Sequence, residues 1–147
     1  MIEALETDDR VSLEVLDRSE CLRLLATAPV GRIGLSIGAL PVILPVNFAL
    51  AGDSIVIRTV PGTKLDAAAR RSVAAFQVDS YAPDGSSGWS VLVQGVCSEV
   101  TDAAERASLA GSAPPAWAFG GGTANRFVRI EVSFVNGRRF RRTHGEG

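Results

Sequence analysis

The 147-residue chain predicts a mainly β protein: a small antiparallel barrel of six strands, with helices only at its margins. Three observations lead there. Six runs of apolar or alternating residues are separated by short turn-like intervals. Segments of helical spacing sit before, beside or between these runs, but do not alternate with them as a parallel βαβ sheet requires. The length suits one domain with a real core, and no repeat of solenoid period is visible.

Residues 1–12 read as a flexible acidic leader, and the folded domain is taken as 15–142, with 1–14 as leader and 143–147 as tail. In "DRSECLRLLATA", Asp17 is an N-cap with Glu20 three residues on, the arrangement that satisfies the first free N–H groups of a helix. Cys21, Leu24, Leu25 and Ala28 then fall on one face, and Pro29 ends the helix. "VGRIGLSI", "LPVILPVNFAL" and "SIVIRTV" follow, joined by "GAL" and "AGD", and read as three consecutive antiparallel strands. "TKLDAAARR" is a short alanine-rich helix capped by Thr63. "VAAFQVDSYA" and "WSVLVQGVCSEV" are strands flanking the polar loop "PDGSSG". Residues 102–109 suggest a further helix. A loop rich in Gly, Ala and Pro leads to the last strand, "RFVRIEVSFV", and the tail "GRRFRRTHGEG".

Composition excludes several functions. A net charge of −1 lacks the basic surplus of a general nucleic-acid or membrane-surface binder. The tail arginines Arg138, Arg139, Arg141 and Arg142 read as a solvated basic end. Cys21 and Cys97 are far apart and form no CxxC pair, so they read as reduced cytosolic thiols, and the sole histidine, His144, lies in the tail. There is no zinc site and no base for a Ser or Cys nucleophile. Asp8 and Asp9 belong to the leader, and "FGGGT" at 119–123 follows no strand and opens no helix, which makes it a loop rather than a phosphate cradle. With no export signal and no bilayer-length apolar run, a cytoplasmic protein is expected. An enzyme so poor in catalytic side chains needs a cofactor.

One corner stands out. Lys64 is the only lysine among fifteen basic residues. In "IRTVPGTKLDAAARR" it follows a Pro-Gly turn, beside two threonines and an arginine, where a strand ends and a helix begins. Free N–H groups, a cation and hydroxyls at a helix start suit a phosphate, and Gly62 lets the backbone approach closely. The same residues also fit an ordinary strand–turn–helix junction with a solvent-facing lysine.

In order and spacing, "LDRSECLRLLATAPVGRIGLS", "LPVNF", "IRTVPGTKLDAAAR", "VAAFQVDS", "GWSVLVQGVCSEV" and "VRIEVSFVNGRR" together resemble the pyridoxamine 5′-phosphate oxidase-like family of flavin-binding split barrels. The similarity is greatest to its small flavin-nucleotide-binding members, because the longer substrate-binding C-terminal region of the vitamin-processing oxidase is not evident. The resemblance implies a six-stranded split barrel, a homodimer, and FMN at the dimer interface. It implies that Arg58, Thr59, Thr63 and Lys64 hold the flavin phosphate, although Arg58 and Thr59 should point to opposite faces of a regular strand. It places Pro45, Val46 and Asn47 beside the ring. Trp89 and Ser90 would form a second wall, with Trp89 equally suited to core or interface packing. Trp117, in "PPAWAFGGG", would cover a flavin of the partner subunit or pin its own loop. The implied activity is hydride transfer through flavin N5 to a small-molecule substrate. Alternatives are the deazaflavin coenzyme F-420, or a non-catalytic flavin or haem carrier, the last disfavoured because His144 is the one candidate axial ligand.

Overall fold

The computed structural model describes residues 10–112 and 126–143. Nine strands and three helices lie among them. The strands are β1 (Arg10–Leu16), β2 (Val30–Ile37), β3 (Leu40–Asn47), β4 (Ala49–Ala51), β5 (Ser54–Thr59), β6 (Val73–Tyr81), β7 (Ser87–Glu99), β8 (Arg126–Glu131) and β9 (Phe134–Thr143). The helices are α1 (Arg18–Leu25), α2 (Lys64–Ala69) and α3 (Ala103–Ser112). Trp117, His144 and the 119–123 glycine run lie outside the described residues.

All pairings are antiparallel, in the order β3-β2-β6-β7-β8-β5-β4. Its two ends, β3 and β4, are halves of one run of chain bent at Phe48. The curled sheet therefore returns to its own beginning, and the six runs read from the sequence form the barrel wall. The strand count exceeds six for identifiable reasons. "LPVILPVNFAL" changes partner at its bend, from β2 to β5. The last strand breaks at Val132 and Ser133. The supposed tail then continues as β9, paired with both β7 and β1. Residues 10–16, of which 10–14 are assigned to the leader, thus form a strand, because β9 offers them a free edge. The arginines taken as a solvated end are likewise held on that ladder.

β7 serves both halves of the sheet, pairing with β9 over Ser87–Gln94 and with β8 over Cys97–Glu99. The switch falls at Gly95, where an added Cβ would lie 1.7 Å from the Glu131 carbonyl oxygen. Only glycine allows two backbones to cross so closely.

Alternation sorts the side chains. Ala74, Phe76 and Val78 of β6 point inward with Val91 and Val93 of β7, Ile33 of β2, and Ile55 and Ile57 of β5. The Phe48 and Phe76 rings meet edge to face at 4.8 Å. Fully burying each such side chain is worth roughly 1.5–3 kcal/mol. α1 covers one mouth with Cys21, Leu24 and Leu25, and the Asp17 carboxylate accepts from the Glu20 N–H at 2.8 Å as its cap. A second cluster of Val56, Val100, Leu109 and Phe127 seats α3 on the outside of β5 and β8.

Candidate functional site

The turn between β5 and α2 is organised by a residue that the sequence reading passed over. Asp66 is wholly buried. Its carboxylate accepts from the Thr59 hydroxyl at 2.7 Å and from the Gly62 N–H at 3.2 Å, and the Arg126 Nε lies 3.1 Å away. Gly62 stands at φ +86°, in the left-handed region that favours glycine. The Thr63 hydroxyl donates to the Val60 carbonyl at 2.8 Å and accepts from the Asp66 N–H at 3.1 Å, the predicted cap.

These bonds divide the four residues expected at a phosphate. Arg58 and Thr59 do point to opposite faces. The Arg58 guanidinium donates to the Ala110 carbonyl at 2.7 Å in the last turns of α3 and lies 5.0 Å from the Phe127 ring centroid. Thr59 is buried with its proton on Asp66, and the Thr63 proton is on Val60. Of the four, only Lys64 is exposed, and it makes no ion pair or hydrogen bond among the described residues. α2 has six residues, so its dipole is short and Lys64 is the charge the corner presents.

The outer face of the sheet offers a separate surface. Directly opposed residues share a face, which gives rows across it. One row is Ile43, Gly34, Ala75, Gln94 and Phe134; the next is Pro45, Arg32, Gln77, Leu92 and Asn136. Gly34 and Ala75 leave a depression of about 250 Å³ between Ile43 and Leu92. Its polar edge is fixed: Gln77 donates to Asp79 at 2.7 Å, and Arg32 lies 3.7 Å from the same carboxylate. The signal for Arg32, Gln77 and Asp79 was present in the sequence as polar residues on the off-beat of apolar strands.

Of the three residues expected beside a ring, Val46 is buried in the core, while Pro45 alternates to the outer face with Asn47. Trp89 and Ser90 also separate. Ser90 joins the outer face between Asp79 and Arg138, and Trp89 packs on the core side. The two therefore do not line one surface.

Charge elsewhere is structural. Glu20 binds Arg23 and Arg139 (2.6 and 2.9 Å), which lowers its pKa from 4.5 to about 2. Burial pushes the Cys97 thiol up to about 11. Among the described residues no group of His, Cys, Asp or Glu could hold a metal ion, and no helix is long and apolar enough to cross a membrane.

A curled antiparallel sheet with one strand serving both halves defines a split barrel, which carries a lysine corner and a shallow outer-face depression. The family model for pyridoxamine 5′-phosphate oxidase matches residues 17–139, and the chain belongs to that family. An FAD-binding protein from Mycobacterium smegmatis shares 30% identity and superposes with a TM-score of 0.69 over 88% of this chain and 100% of that one. A candidate pyridoxamine 5′-phosphate oxidase from Corynebacterium glutamicum gives 26% identity and a TM-score of 0.74 over 88% and 99%. An uncharacterized protein of Mycobacterium tuberculosis is 39% identical over 92 residues, and that match spans 59% of this chain and 60% of the relative's length.

Proposed function

We propose that the protein is a flavin-nucleotide-binding oxidoreductase that works as a homodimer, with FMN or FAD laid along the outer sheet face. The observation that carries this reading is the Lys64 corner. In a chain whose other basic residues are arginines, the one lysine stands exposed and unpaired among the described residues, on a turn fixed from beneath by Asp66. An ammonium in that position neutralises a phosphate by charge and hydrogen bonding. The family resemblance and the M. smegmatis relative, an FAD-binding protein, support a flavin.

The residues fit such a ligand. The Gly34–Ala75 depression offers a flat apolar floor that side chains at these positions would fill. Pro45, Asn47 and Ser90 border the same face, and Arg32, Gln77 and Asp79 supply fixed polar groups for ring edges. Once bound, the flavin supplies hydride exchange at N5, and the chain's own part is to anchor the phosphate, orient the ring and exclude water. The outer face also exposes Ile43, Phe134, Leu13 and Val15, at 73%, 72%, 57% and 75%. Exposed apolar side chains of this kind on one face support a second copy packing on it and closing the site.

Titrating FMN, FAD, the deazaflavin coenzyme and riboflavin into wild type and Lys64→Met tests the reading. A charge-assisted hydrogen bond is worth about 1.5–3 kcal/mol, so the two phosphate-bearing flavins should lose roughly ten- to a hundredfold in affinity. Riboflavin, without a phosphate, should bind both forms alike. Equal losses for all flavins, or no loss for FMN and FAD, would sink the assignment, and preferential tight binding of the deazaflavin would replace the cofactor. Light scattering should report a dimer that Phe134→Asp weakens.

A further inference from the structure

The core side of the sheet carries a second cavity of about 370 Å³, lined by β1, β7 and β9. Two register rows supply six of its lining residues, and Gly88 and Phe140, between those rows, complete it. Ser87, Arg141 and Ser12 stand side by side in one, and Trp89, Arg139 and Glu14 in the other. The next row inward, Val91, Gly137 and Leu16, is buried core, so the cavity opens where the core ends. Neighbours within a row have Cβ atoms about 4.5–5.5 Å apart, and successive same-face rows are about 6.6–6.8 Å apart.

Charges in the two rows differ. Arg139 spends its guanidinium on Glu14 at 3.1 Å and on Glu20 at 2.9 Å. Arg141 is exposed and makes no ion pair among the described residues. It therefore leaves one uncompensated cation, flanked by two hydroxyls, a row away from a half-buried indole. A cation between hydroxyl donors matches a carboxylate, and an indole face matches an aromatic ring.

We propose that this cavity binds a small aromatic carboxylate, its carboxylate on Arg141 between Ser12 and Ser87 and its ring against Trp89. Arg141 and Trp89 stand one same-face row apart, so the probe carries a short two-carbon linker between carboxylate and ring, and the volume falls in the range of small-molecule sites. The site is separate from the flavin reading, because Trp89 and Ser90 face opposite sides of β7.

The probe is 3-phenylpropionate, with its neutral amide as control. In a Trp117→Phe form, Trp89 is the sole tryptophan, and its emission should change saturably with the acid. Calorimetric titration of the wild type gives the same affinity without any substitution. Arg141→Gln, at an exposed position, should weaken the acid about tenfold or more and leave the amide unchanged. Saturating FMN should not displace the acid. Similar binding of acid and amide, an unaffected Arg141→Gln, displacement by FMN, or no saturable binding at millimolar concentration would each overturn the proposal.

Discussion

Asp66 offers the sharpest test of how the corner is held. Replacing it with alanine strips the buried Thr59 hydroxyl and the Gly62 N–H of their acceptor and leaves Arg126, 23% exposed, with only Glu99 at 3.4 Å. An unsatisfied buried polar group costs about 1–3 kcal/mol, and removing one member of a buried ionic cluster about 3–5 kcal/mol. The expected loss for Asp66→Ala is therefore about 3–5 kcal/mol, read as a lower urea midpoint at unchanged m. Thr59→Val removes one bond and leaves Asp66 its other partners, so it should cost about 1 kcal/mol. The double mutant should be less destabilised than the sum by about 1 kcal/mol or more, because both changes break the same bond. Asp66→Asn separates shape from charge and, on the proposed reading, should also weaken flavin-nucleotide binding, since Gly62 and hence Lys64 lose their fixed support. A loss below about 1 kcal/mol for Asp66→Ala, or strict additivity with Thr59→Val, would refute the claim that this carboxylate organises the turn.

Other consequences follow from the same geometry. Gly95→Ala should cost about 1–3 kcal/mol or more, because the added methyl meets the Glu131 carbonyl rather than a flexible side chain; thermal unfolding measures it, and an unshifted midpoint would mean that β7 crosses elsewhere. Glu20 has a folded pKa lowered from 4.5 to about 2 by Arg23 and Arg139. Its stabilising contribution is therefore present above about 4.5 and disappears as pH falls toward 2. Urea midpoints of wild type and Glu20→Gln should converge over that window, and a pH-independent gap would contradict the pairing. Cys97, buried and with its pKa raised to about 11, should resist a thiol reagent at pH 8 until the protein unfolds; rapid labelling of the native protein would show that the β7–β8 junction opens.

The sequence by itself determined the barrel strands, because alternation and near-continuous apolar runs are local signals. It determined the Asp17 and Thr63 caps for the same reason, since a cap needs only residues three apart. It also singled out Lys64, and it resolved that Arg58 and Thr59 part company, which follows from strand geometry alone. Tertiary structure decided the rest. Residues 10–16 and the basic tail became strands because each supplies the edge the other needs, a pairing across more than a hundred residues that no local pattern encodes. Asp66 carried no signal of its own in the sequence, and its part emerges only where Thr59, Gly62 and Arg126 close around it. Thr59 and Thr63 looked like phosphate ligands, but their protons are spent inside the fold, which leaves the charge of the corner to Lys64. The small residues Gly34 and Ala75 and the isolated Trp89 acquired meaning only through register, because a depression or a cavity is a relation between strands rather than a property of any one.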